Sequence, residues 1–391
     1  MYFELKNIGA IKKAKIELAK LTVVCGKNNT GKTYITYSIY GFLYEKFELL
    51  TKAWAYIHEL ENLSHEEKLN SFNKQLSKLY SQQLCNIFNV NPDEFAHSEF
   101  KIDLDNINTD NSQKFLDSFL ESCLEDRSSP FIASAERTGI QLFQKELDKH
   151  KNELIKKLTK TRDFNLLEES LARFALPIER NITFARDYDN VIKSNSFLKQ
   201  DYPELVTYIE DMLRVKYEII DGHKVVRDKT TNKALPYYMA STSVRALFDL
   251  HLWLKHFAEK GDILFIDEPE LNLHPENQIK ITRLLVNLVN AGLKVFITTH
   301  SDYIIKELNN LLMFANEFPE KSKLMEQHGY TPNDVLQAQD LKAYITHIEG
   351  TVSEVETDEY GMIQSGFDEA IVQIDETSNQ IISAIDNLLE S

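Results

Sequence analysis

Leu21-Thr22-Val23-Val24-Cys25-Gly26-Lys27-Asn28-Asn29-Thr30-Gly31-Lys32-Thr33 is the stretch that decides the fold of this chain. The mostly apolar run from Leu21 to Cys25 reads as a short strand buried on both faces. It leads directly into a G-x-x-x-x-G-K-T loop, after which Ile35, Ile39, Phe42 and Leu43 recur at helical spacing over Thr33 to Tyr44. Strand, glycine-flanked loop and helix start, in that order, make an anion cradle. The glycines let successive backbone N–H groups turn toward one centre, and the helix adds its positive end. Gly26, Lys27, Asn28, Asn29, Thr30, Gly31, Lys32 and Thr33 are therefore the candidate phosphate-binding residues. In such a loop Lys32 reaches the β- and γ-phosphates of a nucleotide, and the Thr33 hydroxyl offers an oxygen to Mg²⁺.

Working outward, Phe3 to Ile8 and Lys13 to Leu18 alternate in polarity around Gly9 and read as two strands. Far downstream, the apolar strand Ile263-Leu264-Phe265-Ile266 ends in Asp267-Glu268-Pro269. Asp267 emerges at the carboxyl end of that strand, where it can hold Mg²⁺, and Glu268 can orient and deprotonate an attacking water. A third strand, Val295 to Thr299, precedes His300. Helices are expected near Val244 to Phe257 and Glu276 to Asn290, strands at 342–348 and 351–356, and a last helix near 367–389. Residues 46–230 are poor in glycine and show helical periodicity over Leu60 to Leu79, Lys114 to Leu124 and Ile140 to Leu158. Lys101 to Asp110 reads as a polar loop, and Asp221-Gly222 as a hairpin turn. Within this region Pro130-Phe131-Ile132-Ala133-Ser134-Ala135-Glu136-Arg137-Thr138-Gly139 reads as one strand returning to the sheet and ending in a polar loop. The fold class is thus α/β, a P-loop nucleotide-binding fold. Its two parts, 1–45 and 231–391, are separated by a mostly helical insertion, 46–230, with one strand near 130–135.

Asp267-Glu268-Pro269-Glu270-Leu271-Asn272-Leu273-His274-Pro275, followed by Thr298-Thr299-His300-Ser301, resembles the ABC-type ATPase heads of SMC and overcoming-lysogenization-defect-like proteins. Leu5-Lys6-Asn7-Ile8-Gly9 and Asn28 to Thr33 resemble the same group. The resemblance implies ATP and Mg²⁺ as cofactors, with Lys32, Glu268 and His300 as catalytic residues and Thr33 and Asp267 on the metal. His300 would be the switch histidine facing the γ-phosphate, and Glu270 to His274 the D-loop region. Such heads close as head-to-tail dimers, each ATP being covered by a signature loop from the partner. Ala240-Ser241-Thr242-Ser243-Val244-Arg245 resembles a degenerate form of that loop, with Ser243 where the family usually has glycine. Ser241 or Thr242 would donate its hydroxyl to the γ-phosphate in trans. The 131–139 element stands in the place of the Q-loop without its glutamine, although Gln141 and Gln144 are near, and Glu136 or Arg137 is a further candidate there.

Charge and composition bear on partners. The chain has 391 residues and a formal net charge of −16. Residues 91–126 hold ten Asp/Glu against Lys101 and Lys114, and residues 349–391 hold eleven with no Lys or Arg. The remainder is slightly basic, and Lys149 to Arg162 reads as a basic amphipathic helix, so nucleic acid stays open as a partner. Cys25, Cys85 and Cys123 are scattered without a CxxC, which excludes a disulfide framework or structural zinc site. No apolar run approaches the ~18 residues a membrane helix needs, and no secretory pattern opens the chain, so a cytoplasmic protein without a membrane partner is expected. Arg245-x5-His251 fits a loose ribonuclease spacing but falls inside the signature helix and reads as coincidence. Residues after His300 are too few for a Toprim nuclease domain. The layout resembles standalone ATPase subunits of antiphage systems (Septu, PARIS and retron-linked types). That resemblance implies a homodimer or higher homo-oligomer controlling a separately encoded nuclease or toxin effector. A RecF/SMC-like DNA maintenance or repair ATPase and a slowly hydrolysing ATP-dependent scaffold are the competing readings. A transporter subunit fits less well, for want of a regular signature and coupling glutamine.

Overall fold

The computed structural model describes residues 1–58, 64–103, 129–161, 174–220, 223–358, 360–361, 363 and 376–377. Along the chain come β1 (Tyr2–Ile8), β2 (Ile11–Glu17), β3 (Leu21–Gly26), α1 (Lys32–His58) and α2 (His65–Phe88). The middle supplies β4 (Glu99–Asp103), β5 (Pro130–Ala133), α3 (Arg137–Thr161), α4 (Leu176–Arg186), α5 (Pro203–Leu213), β6 (Val215–Ile220), β7 (His223–Asp228) and β8 (Ala234–Pro236). Then follow α6 (Thr242–Ala246), α7 (Phe248–His256), β9 (Ile263–Asp267), α8 (Pro275–Asn290), β10 (Lys294–Thr299), α9 (Asp302–Met313), β11 (Leu341–Thr346) and β12 (Val352–Val355). Shorter helical turns join them.

The central sheet has the order β12-β11-β3-β10-β9-β5 and is parallel except for β12. Its strands read as apolar runs because both faces are covered, and the period of two divides each run between two cores. Leu21, Val23, Leu264, Ile266, Val295 and Ile297 face one side, beneath α4, α5, α7, α8 and α9. Val24, Ile263, Phe265, Phe296 and Tyr344 face the other, beneath α1, α2 and an antiparallel sheet of order β2-β1-β4. A third small sheet, β6-β7-β8, is also antiparallel. No helix of the described residues is long and apolar enough to cross a membrane.

Three local expectations are corrected. The polar stretch beginning at Lys101 starts as strand, since Glu99–Asp103 pairs with β1. Phe100 drives this: it is fully buried and meets Phe3 at 5.5 Å and Tyr80 at 4.7 Å between ring centres. Each such aromatic pair adds ~0.5–1.5 kcal/mol beyond burial. The helix after the phosphate loop does not stop at Tyr44 but continues to His58, because Leu49, Leu50 and Ala53 keep its apolar stripe buried. The helix expected over 244–257 is two, α6 and α7, interrupted at Leu247 (φ −102°, ψ 1°). The expected helices over 114–124 and 367–389 lie outside the described residues, save Glu376 and Thr377, as do Arg162, most of 101–110 and the Asp221-Gly222 turn.

Candidate active site

Parallel strands deliver all their carboxyl ends to one edge of a sheet, which is where such folds build sites. Register makes this local. Thr298 lies opposite Asp267, Thr299 opposite Cys25 and Thr346 opposite Gly26. The phosphate loop, the Asp267-Glu268 turn, His300 and the segment after β5 therefore converge, although they span residues 26–346.

The loop's backbone is shaped by close approach as well as by dihedral freedom. Gly26 has φ +150°, and a Cβ there would lie 2.1 Å from Thr346 Oγ1 and 2.8 Å from Thr346 O. Asn29 (φ 62°) and Gly31 (φ 94°) complete the turn. The Thr30 hydroxyl donates to Lys27 O at 2.7 Å and shares a 2.6 Å bond with Thr346 Oγ1. Lys32, only 6% exposed, donates from Nζ to Gly26 O and Lys27 O, both at 2.9 Å. Burial pulls its pKa down, opposed by Glu268, Asp267 and Glu270. The Cys25 thiol beside the loop is pushed up to about 12 by burial, which makes it inert at neutral pH. Gly26→Ala should destabilise the nucleotide-free protein by more than ~2 kcal/mol, since overpacking and a disfavoured φ act together. A denaturation midpoint equal to wild type would contradict the close approach to Thr346.

Asp267 is buried and held at both oxygens. Oδ2 accepts from Thr33 Oγ1 at 3.2 Å, and Oδ1 accepts from Thr298 Oγ1. Burial raises its pKa, which the Thr298 hydrogen bond opposes. Paired with the Thr33 hydroxyl, this is the hard-oxygen donor set that suits Mg²⁺, a cation that takes few protein ligands and completes its shell with water and phosphate. Glu268 follows in a left-handed conformation (φ 52°), its N–H donating to Thr298 O at 3.2 Å and Thr298 Oγ1 at 3.1 Å.

That turn aims Glu268 at His300, with Oε1 3.2 Å from Nδ1. Glu270 Oε1 lies 3.4 Å from the same nitrogen and accepts from His300 N and Thr299 Oγ1, each at 2.8 Å. Glu270 Oε2 has no hydrogen-bond partner among the described residues, and burial raises the pKa of that carboxyl. The hydrogen bond with His300 lowers the Glu268 pKa, and the same bond raises that of His300. The signs fix a window. His300's part of the stabilisation is full below its ordinary 6.5 and fades as pH rises through its raised folded value. Glu268's part is full above its ordinary 4.5 and fades as pH falls through its lowered value. In the nucleotide-free protein, His300 should titrate by NMR with a midpoint above 6.5, moving back toward that value in Glu268→Gln. A wild-type midpoint at or below 6.5 would remove the ion pair.

Arg137, Glu136 and Tyr37 enter from the side. The Arg137 guanidinium donates to Asp267 O and Glu268 O, both at 2.8 Å, and Tyr37 Oη donates to Glu136 Oε2 at 3.2 Å. Tyr37 and Thr346 carry no sequence signal for a role here, since one sits on a helix and the other ends a strand outside every motif. Thr298 lay within a quoted motif without an assigned contact. Ser241 and Thr242 are not brought to this cluster. Both are exposed, and Ser241 Oγ caps α6 by accepting from Val244 N at 3.4 Å.

Two family models match the chain. One described as "AAA ATPase domain" covers residues 1–70, and one described as "AAA domain, putative AbiEii toxin, Type IV TA system" covers residues 151–306. No curated protein matches it. Among solved structures it is similar to an SMC head bound to the C-terminal winged-helix domain of ScpA, at 12% identity and a TM-score of 0.40 over 90% of this chain and 96% of that one. An SMC head from Pyrococcus furiosus, bound to the C-terminal domain of ScpA, gives 13% and 0.34 over 96% and 98%. The SMC head domain from Thermotoga maritima gives 12% and 0.34 over 91% and 98%. The two family matches contain every residue of the converged site except Glu136, Arg137 and Thr346. Both halves of the candidate site thus fall within matches to ATPase-domain models.

Proposed function

We propose that this chain binds ATP with Mg²⁺ and hydrolyses it. The observation that carries the reading is the 3.2 Å contact between Thr33 Oγ1 and Asp267 Oδ2, which joins the phosphate loop to a strand end 234 residues away. The loop N–H groups and Lys32 would hold the β- and γ-phosphates, the cation exchanging its two carbonyl partners for phosphate oxygens. Thr33 and Asp267 would hold Mg²⁺, which neutralises phosphate charge when bound. Glu268, freed from His300, would take the proton of the attacking water, and His300 would turn its ring to the γ-phosphate. Phosphate release with Mg²⁺ and with EDTA tests this. Turnover that persists without divalent cation, or no turnover in either, would sink it.

We assign 1–45 and 231–391 as the two lobes of the ATPase head and 46–230 as an insertion lending β4 and β5 to its sheets. The exposed Ser241 and Thr242 suit a loop completed by a second copy, so we propose a nucleotide-dependent homodimer or higher oligomer. We further propose that closure controls a separately encoded nuclease or toxin in antiphage defence. The family description over 151–306, which names a toxin of a type IV system, supports that setting. Co-purification with the product of the adjacent gene, with and without ATP, tests the control. ATP-dependent DNA binding without any protein partner would favour a maintenance ATPase instead.

A further inference from the structure

We infer that Arg137 is a positioning residue for hydrolysis, acting through the main chain of Asp267 and Glu268. The inference rests on the proposed ATPase reading and adds to it. Arg137 opens α3, directly after β5, whose Ala133 lies opposite Ile266 of β9. Arg137 is 2% exposed, and no carboxylate is within ion-pair distance of it among the described residues, although Asp267, Glu270, Glu268 and Glu136 act on it from farther off against the cost of burial. A cation buried so completely normally has a carboxylate against it, because desolvation is otherwise uncompensated. Here Nη1 donates to Ser134 O at 2.9 Å and to Asp267 O at 2.8 Å, and Nη2 to Glu268 O at 2.8 Å. Both peptide carbonyls of the Asp-Glu turn are thereby fastened to one rigid, planar group.

What this fastening achieves follows from the turn itself. Glu268 is a non-glycine residue at φ 52°, a conformation that persists only where surroundings over-determine it. Thr298 holds its N–H, and Arg137 together with the Leu271 N–H, at 3.0 Å, holds its C=O, so the residue is clamped at both ends while the side chain is free to move. The carboxylate can then leave His300 for water while the backbone that aims it stays fixed. Three of the guanidinium's N–H donors go to carbonyls, two of them those of the Asp-Glu turn, and Nε has no partner among the described residues, so the contacts it makes act on the carboxylate's aim.

Arg137→Ala and Arg137→Lys test this against Glu268→Gln. Lysine keeps the cation but has one nitrogen in place of a planar fork. ATP affinity should stay within about threefold in both, while kcat falls about 100-fold in the alanine variant and about 10-fold in the lysine variant. Combined with Glu268→Gln, either substitution should cost less than about threefold more, because the residue through which Arg137 acts is already disabled. If Arg137→Ala does not fold, Arg137→Lys decides. Wild-type turnover in the lysine variant, a raised KM with unchanged kcat, or the same loss with and without Glu268 would each overturn the positioning role. A wild-type protein that binds ATP without hydrolysing it would overturn the ATPase reading itself, and this inference with it.

Discussion

Glu268→Gln should retain ATP within about threefold of wild-type affinity and lose hydrolysis by ~10²–10⁴-fold, the range for removing a general base. The substitution preserves shape and leaves Lys32, Thr33 and Asp267 untouched, so the phosphate contacts persist. A 100-fold loss is ~2.7 kcal/mol of transition-state stabilisation. There is a further reason for a large effect. With its pKa lowered by His300, Glu268 is ionised but a weakened base in the nucleotide-free protein. Turnover then depends on separating the pair, and kcat/KM, which reports the nucleotide-free protein, should rise with pH as His300 loses its proton. Phosphate release in a single turnover, beside equilibrium nucleotide binding, reads both halves. Wild-type-like release from Glu268→Gln would remove it as the base.

Lys32→Ala should act on the opposite half of the reaction. Its Nζ is buried on Gly26 O and Lys27 O, aimed by the loop before any ligand arrives. Removing it deletes a charge-assisted contact to phosphate, and affinity for ATP should fall at least ~100-fold. Stability without nucleotide should barely move, within ~1 kcal/mol, because the cost of desolvating the cation leaves together with its two hydrogen bonds to carbonyls. At 100 times its Kd, ATP would stabilise wild type by ~2.7 kcal/mol. That thermal shift should vanish in the variant. An unchanged shift would mean that Lys32 does not face the phosphates.

The parts of the site legible in the sequence are those that are contiguous. Residues 21–33 carry strand, turn and helix start in one run, and Ile263–Asp267 carries a buried strand and its terminal carboxylate in another. Their neighbourhood could be argued because parallel strands end on one edge. What escaped depends on partners remote in sequence. Glu99–Asp103 is polar at alternate positions and becomes strand only against β1, more than 90 residues earlier. Thr346 touches Gly26 and Thr30 through strand register that no local pattern encodes. The Arg137 contacts were hidden for the same reason, since an Ala-Glu-Arg tripeptide does not reveal that its guanidinium will meet carbonyls 130 residues away. The contact proposed in trans for Ser241 and Thr242 belongs to a different class, because such a contact would have no expression within one chain.

The place of β3 between β10 and β11 has a consequence for biogenesis. The strand leading into the phosphate loop leaves the ribosome before both of its sheet neighbours, neither of which exists until some 270 residues more have been made. At ~5–20 residues per second, that is a wait of ~15–60 s. During it, an apolar strand with two unpaired edges is exposed to chaperones and to other nascent chains. The hairpin β1-β2 and helices α1 and α2 can collapse together meanwhile, but β3 cannot be sealed. Truncated products ending before residue 294 should therefore be the aggregation-prone species, and slow late translation a greater hazard to this protein than slow initiation.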